Sequence, residues 1–389
     1  MLDKKNHIDP SKNECCGCTA CFSKCPQKAI KMIDDKEGFK YPIVDPAKCV
    51  ECGICLQTCD FRKATHIHCS ETPLKAYAIK NLNDQVRSES RSGGAFSALT
   101  DVIIEKNGCV FGAVLDDNFT VRHVMSENIQ ERNKLRGSKY VQSDLGNIFE
   151  NVRNELKKGR IVGFSGTGCQ IAGLKSYLGK DYENLYTFDI VCHGVPSPKV
   201  WKDYVEFLNK KGKLTDFNFR DKAILGWDMH IESYKINGVK KISRNYAKLF
   251  SSDNILRESC FECKYANLKR SGDFTLADFW GIDKHYKSFN DNKGVSLLLV
   301  NSQKGINLLK SIQMEDNFDY IDCSTIAFEN RQLHCPTSKP LTYEDFWKDY
   351  NSKDFEFILK KYSDGKIINM LKTYKSIIVT RMKRSKYTK

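Results

Sequence analysis

Cys15-Cys16-Gly17-Cys18-Thr19-Ala20-Cys21-Phe22-Ser23-Lys24-Cys25-Pro26 decides how the rest of the chain is read. Its spacing, Cys15-x2-Cys18-x2-Cys21-x3-Cys25-Pro26, returns downstream as Cys49-x2-Cys52-x2-Cys55-x3-Cys59. Three thiolates separated by two residues each wrap one corner of an iron–sulfur cubane. The fourth cysteine is too far along to reach the same cluster and ligates the other one. The spacing therefore gives Cys15, Cys18, Cys21 and Cys59 to one 4Fe-4S cluster, and Cys49, Cys52, Cys55 and Cys25 to a second. Structural zinc also uses C-x2-C pairs, but as two separated pairs rather than two runs of four. Cys16, the odd thiol of the first run, is expected to pack rather than to ligate.

Between the runs, Ile30 and Met32 alternate with lysines, and Phe39, Tyr41 and Ile43 alternate beyond Asp35-Lys36-Glu37-Gly38. This predicts a short hairpin with a glycine turn, packed over the clusters. Residues 61–73 read as a linker. After it, strand and helix patterns alternate to residue 210, which argues for an open α/β sheet. From residue 214 the pattern turns to β: 215–219, 230–236, 240–244, 273–279 and 295–300. The last fifty residues read as helical and basic. The fold class expected is α+β/α/β, a ferredoxin-like dicluster domain over 1–66 before a mixed α/β domain over 75–340. A basic helical tail over 341–389 follows.

The chain has 389 residues, 41% hydrophobic and 28% charged, the composition of a globular protein. The start is polar and mixed in charge, with no signal-peptide pattern, and the longest apolar stretch, 295–300, is too short to span a bilayer. A cytoplasmic protein is expected, where seventeen cysteines serve metal ligation better than disulfides. The net charge of +14 does not point to nucleic acid, because no RRM, helix-turn-helix or zinc-finger pattern accompanies it. In the tail, Ile367, Met370, Leu371 and Tyr374 fall at helical spacing, extended by Ile377, Ile378 and Met382. A basic amphipathic helix results, docked on its own domain or lying on a partner or an anionic membrane surface.

Four further cysteines stand in loops. Cys169 follows one predicted strand, Cys192 follows the next, and Cys260 and Cys263 form a C-x2-C pair. Strand ends of an open α/β sheet face the crevice where ligands bind, so these four can converge on a third thiolate site. Against this stand two plainer readings: Cys169 and Cys192 as small core residues, and zinc on the pair. Cys109, Cys323 and Cys335 are expected to be buried by packing. Two glycine turns open helices, Ser92-Gly93-Gly94 and Ser165-Gly166-Thr167-Gly168. Backbone N–H groups at such starts cradle phosphate, although an ordinary N-cap looks the same in sequence. Arg136-Gly137-Ser138-Lys139-Tyr140-Val141-Gln142 offers cation, hydroxyl and amide donors together. Neither G-x-G-x-x-G after a first strand nor a Walker loop is present.

These segments, with Gly166-Thr167-Gly168-Cys169-Gln170, Asp189-Ile190-Val191-Cys192-His193-Gly194 and Cys260-x2-Cys263 before Ser271-Gly272-Asp273-Phe274, resemble the coenzyme F420 hydrogenase/dehydrogenase beta-subunit family. That family includes the plant hydroxymethyl-chlorophyll reductase. The resemblance covers about residues 75–340, with Gly168 standing where a proline is usual. It implies FAD bound without a Rossmann fingerprint by Ser92, Gly93, Gly94, Arg136, Ser138, Lys139, Tyr140, Gln142, Gly166, Thr167, Gly168 and Gln170. It also implies a third 4Fe-4S cluster on Cys169, Cys192, Cys260 and Cys263, beside the flavin. His193 is the candidate proton donor to flavin or substrate, with a structural histidine as the plainer reading. Asp278 and Trp280 are candidates to line the same pocket, and Arg220 and Lys222 to meet an acidic substrate. The expected partners are a small-molecule substrate, a deazaflavin or another organic molecule, and a redox protein such as a ferredoxin or another oxidoreductase subunit. The rival expectation is an electron-transfer subunit with no substrate chemistry of its own.

Overall fold

The computed structural model describes residues 6–62, 73–312 and 314–363. The tail helix expected over 366–389 lies outside them. The hairpin forms as its alternation requires: β1 (Ile30–Asp34) and β2 (Lys40–Val44) pair antiparallel, Ile30 opposite Val44 and Asp34 opposite Lys40. Gly38 turns at φ 82°. Short helices Ala20–Lys24 and Ile54–Thr58 each follow the second cysteine of a run and carry its third. Ile8, Cys21, Ile30 and Cys55 pack together between the two runs.

The remaining strands are β3 (Lys75–Asn81), β4 (Cys109–Leu115), β5 (Val121–Ser126), β6 (Val162–Thr167), β7 (Leu185–Ile190), β8 (Leu214–Asn218), β9 (Glu232–Ile236), β10 (Val239–Ser243), β11 (Phe274–Asp278), β12 (Ser296–Val300) and β13 (Phe318–Asp322). Eight form one sheet in the order β13-β3-β12-β11-β7-β6-β4-β5. β4, β6, β7 and β11 run parallel, and the outer strands pair antiparallel. Parallel neighbours need crossovers, and helices Ile148–Lys157 and Gly168–Leu178 supply two of them. The central strands are buried on both faces and read as continuous apolar runs; all five residues of β12 are buried.

Three differences from the sequence reading matter for the site. β11 and β12 rejoin the main sheet, although they follow a β-rich stretch; their order is fixed by pairing with β7 and β3, which no local pattern encodes. β13, unread in sequence, closes the sheet beside β3. Phe61, taken as the start of a linker, is 5% exposed and packs with Cys16, Ala172 and Tyr265.

The chain divides into two compact units, Met1–Lys202 with Leu256–Ser338, and Asp203–Ile255 with Lys339–Lys389. The stretch read as one domain over 75–340 is thus interrupted by an insertion. The described part of the second unit holds the sheet β10-β9-β8 and an aromatic core of Tyr204, Phe217, Phe219, Tyr246 and Phe355. Buried Glu232 accepts hydrogen bonds there from Tyr204 Oη and from the backbone N–H groups of Tyr246 and Ala247. Every cysteine assigned to a cluster lies in the first unit.

Candidate functional site

Three hollows lie in the first unit, and cysteines line each. Cys25, Cys49, Cys52 and Cys55 border one of about 350 Å³, with Pro26, Ala29, Ile30 and Val44. Cys15, Cys18, Cys21 and Cys59 border a second of about 360 Å³, with Ile8, Met32, Pro42 and Phe61. Each set holds three cysteines of one run and the last of the other, the exchange that the C-x3-C spacing predicts. Apolar side chains fill the remaining walls. Backbone N–H groups point at the sulfurs: Ile8 donates to Cys55 Sγ over 3.3 Å, and Ala29 to Cys25 Sγ over 3.4 Å.

The third hollow, about 500 Å³, is bordered by Cys169, Cys192, Cys260 and Cys263 together. Topology builds it. β6 and β7 are parallel neighbours, so their C-terminal ends stand side by side, with Cys169 and Cys192 just beyond them. The 3-10 turn Glu258–Glu262 brings the C-x2-C pair to the same edge, through the Pro196–Leu256 bridge and the hydrogen bond from Arg257 N to Val195 O. Val195 N donates to Cys260 Sγ over 3.4 Å, and Thr167 Oγ1 lies 3.1 Å from Cys169 Sγ.

The thiols also sense one another. Burial pushes Cys192 well above its ordinary range, and the neighbouring Cys260, Cys169 and Cys263 push it further. Burial raises Cys260 to about 12 and Cys263 to about 11. In the second hollow, burial raises Cys21, followed by Cys18, Cys15 and Cys59. Cys169 goes the other way, down to about 7, chiefly through a hydrogen bond from Cys16. Thiolates gathered out of water in this way need compensating positive charge. Two buried arginines on the wall of the third hollow supply part of it. Arg270 donates to Asp189 Oδ1, Ile190 O and Tyr265 O. Arg257, 0% exposed, donates to Cys15 O, Gln142 Oε1 and Lys40 O and lies 4.1 Å from the Tyr41 ring centre. Among the described residues no group of three or more His, Cys, Asp or Glu is arranged to hold a metal ion, so the sulfurs surround hollows rather than a point.

Sequence reasoning passed over Arg257, Gly173 and the position of Cys16. Arg257 stands three residues before Cys260, a cation one turn ahead of a cysteine pair, and that was the available signal. Gly173 lies on the helix after Cys169, where a Cβ would meet Cys18 Cβ and Sγ at 2.8 Å. Only glycine lets the dicluster segment sit this close to that helix. Ser176 Oγ to Thr58 O (2.7 Å), Lys24 Nζ to Tyr177 O (2.7 Å) and Ser197 Oγ to Glu37 O (2.5 Å) complete the seat. Cys109 and Cys323 are buried as expected, but Cys335 is exposed, on the loop leading to Pro336 and Thr337 at the third hollow.

The residues named for a flavin are largely occupied within the chain. A Cβ on Gly93 would meet Ile79 O at 2.0 Å, and Gly93 N donates to Ser296 Oγ, so this glycine lets two backbones touch. Ser92 Oγ donates to Val295 O. Gly94 caps helix Ala95–Glu105 at φ 89°. Thr167 and Gln170 form a capping box, and Gly168 is the first residue of the helix, a position that also suits proline. Gln142 Nε2 donates to Cys16 O, and Arg136 Nη1 to Glu89 Oε2. Lys139 Nζ donates to Lys134 O and Arg136 O, and burial pushes its ammonium down to about 7. Ser138 is exposed and Tyr140 half-buried. His193 lines the third hollow; Gln332 Nε2 lies 3.0 Å from its Nδ1, and Thr337 Oγ1 donates to its carbonyl. Asp278, at the C-terminal end of β11, pairs with Arg91 at 3.5 Å. Arg220 donates to Trp227 O and Met229 O in the second unit.

Residues 14–62 match the family model of the 4Fe-4S dicluster domain, which makes this an iron–sulfur protein of the electron-transfer class. Residues 159–325 match the family model for the C terminus of the coenzyme F420 hydrogenase/dehydrogenase beta subunit. By these two matches the chain is a coenzyme F420 hydrogenase/dehydrogenase beta-subunit family protein with a 4Fe-4S dicluster domain in front. No curated protein matches it. A chain of the F420-reducing [NiFe] hydrogenase complex from Methanosarcina barkeri, solved in a xenon-derivatised form, is similar to it at 13% identity and a TM-score of 0.46. That similarity covers 66% of this chain and 84% of the other. No helix among the described residues is long and apolar enough to cross a membrane.

Proposed function

We propose that this protein is an iron–sulfur oxidoreductase that carries single electrons along three 4Fe-4S sites, held by Cys25/Cys49/Cys52/Cys55, Cys15/Cys18/Cys21/Cys59 and Cys169/Cys192/Cys260/Cys263. The observation that carries the reading is the arrangement of the hollows. Four thiols border each, and the three adjoin in series through shared walls: Cys21 and Cys55 pack together, and Cys16 and Cys18 pack toward Cys169 and Cys263. The donor set fits, since every hollow offers four sulfurs with apolar walls, backbone donors or buried arginines around them. When bound, such clusters supply one-electron transfer. The chain's part is to seat them, exclude water and set the charge around them. Cys52 is exposed, so the first hollow opens to solvent and suits exchange with a redox protein or a partner subunit. The third lies at the C-terminal edge of the sheet, where α/β proteins bind small molecules.

At that edge FAD is the cofactor of this reading, exchanging electrons with a deazaflavin or another organic substrate. His193 would hold or release a proton there, its Nδ1 side fixed by Gln332. Gly93, Thr167, Gln170 and Gln142 do not fit a flavin cradle, because their groups already serve the fold. No step is derived through the flavin. The same occupancy favours a second reading, an electron-transfer subunit whose organic chemistry resides in a partner. Anaerobic purification with flavin quantitation, followed by FAD titration of the flavin-free protein, separates the two. Stoichiometric FAD that bleaches on reduction of the clusters supports the first reading. Full iron with no FAD binding overturns it in favour of the second.

A further inference from the structure

We propose that Cys16, which ligates nothing, is a positioning residue whose thiol hydrogen-bonds the ligand sulfurs of two adjoining sites, Cys18 on one side and Cys169 on the other. The inference rests on the reading that both hollows hold 4Fe-4S clusters. Cys16 is the residue common to the walls of the second and third hollows. It is 8% exposed and packs with Phe61, Ala172 and Tyr265 against Cys18, Cys59, Cys169 and Cys263. Its sulfur is in hydrogen-bonding contact with Cys18 and Cys169 alike.

The backbone holds it there. Its carbonyl accepts from Gln142 Nε2 at 3.0 Å. Gln142 Oε1 in turn accepts from Arg257 Nη1 at 3.0 Å, and Arg257 Nε donates to Cys15 O at 2.7 Å. Gly17, at φ 70°, has Gln142 Nε2 and Arg257 Nη1 against its α-carbon, leaving no room for a larger residue. Cys15 and Cys18 are directed to one hollow while the intervening thiol is clamped in the partition.

A thiol has one proton to donate. Between two sulfur acceptors it can serve only one at a time. Hydrogen bonds to ligand sulfurs favour the more negative, reduced state of a cluster, and so raise its reduction potential. Cys16 therefore raises the potentials of two sites with a single donor and links them: the site that holds the extra electron draws the S–H from the other. No bond forms or breaks in this exchange beyond the hydrogen bond itself.

The test uses the full chain, purified anaerobically, as Cys16→Ala, Cys16→Val and Cys16→Ser. Iron and sulfide are quantified, and reduction is followed by electron paramagnetic resonance in a redox titration. With alanine or valine the iron stays at the parent level, and two of the three potentials shift negative. The shift is on the order of tenfold in the reduced-to-oxidised ratio at fixed potential, about 59 mV for one electron. The third potential, that of the Cys25/Cys49/Cys52/Cys55 site, stays put and serves as the internal control for a merely structural effect. Serine, which keeps a donor, restores most of the shift. Unmoved potentials at full iron in either donor-less variant overturn the proposal, as does loss of one cluster's worth of iron in all three variants, which would make Cys16 a ligand. A parent with only two clusters' worth of iron removes the underlying reading instead.

Discussion

The eight cysteines of the first two hollows come from one short segment, at intervals of two or three residues. The four of the third come from positions 169, 192 and 260–263, and they meet only because β6 and β7 are parallel neighbours and a loop returns beside them. The first arrangement is fixed by local spacing, since C-x2-C-x2-C can hardly do other than wrap a corner. The second is fixed by strand order, and strand order depends on every crossover before it. The two halves should therefore fail differently: the dicluster segment by loss of single ligands or of its seat, the third site by anything that disturbs the sheet edge.

The largest expected effect tests the sheet edge. Arg270→Met leaves Asp189, 0% exposed, without its cation. Breaking a buried pair from one side costs about 3–5 kcal/mol. Anaerobic denaturant unfolding should show a loss of that order, with the third site's iron lost ahead of the rest. Equal loss from all sites would remove the distinction between the halves.

Next is the pH dependence of the same sheet. Burial holds His123 down at about 4, and its Nε2 lies 3.0 Å from Ser165 O. Its ordinary value is about 6.5. Above that, both folded and unfolded chains carry the neutral ring and no stability difference arises. As pH falls from about 6.5 towards 4, the unfolded chain binds a proton that the folded chain refuses, and stability drops by roughly 3 kcal/mol. His123→Gln should flatten this slope relative to the parent in unfolding measured across that window; an unchanged slope contradicts the assignment.

The seat of the dicluster segment comes third. In Gly173→Ala the new Cβ meets Cys18 at 2.8 Å. Overpacking of this kind costs about 1–3 kcal/mol. Thermal unfolding should register it, and iron should leave the Cys15/Cys18/Cys21/Cys59 site first. The smallest effect is expected for Gly168→Pro. Gly168 opens a helix after extended Thr167 (ψ 158°), the backbone that precedes proline. Tyr265 Cβ, 3.1 Å from an added Cβ, offsets part of the gain in chain stiffness, so stability should stay within about 1 kcal/mol of the parent.

What could be read in sequence follows the same division. The two cysteine runs, the hairpin and most central strands are local patterns, and the structure places them within a few residues of expectation. β13 and the return of β11 and β12 to the main sheet were hidden because pairing partners lie far apart in the chain. Gly93 looked like a phosphate cradle because a glycine-opened helix has one signature for two uses; only the contact with Ile79 O distinguishes them. Arg257, Gly173 and Cys16 matter through what lies across the partition from them, which no spacing rule reports.

The claim on which the account turns is that Cys169, Cys192, Cys260 and Cys263 together hold a third cluster. Iron and acid-labile sulfide, measured per chain after anaerobic purification of the parent and of Cys192→Ala, test it directly. The account predicts three clusters' worth in the parent and two in the variant, with the signals of the two N-terminal sites unchanged. Two clusters' worth in both proteins would contradict it and leave the four thiols as a buried structural group.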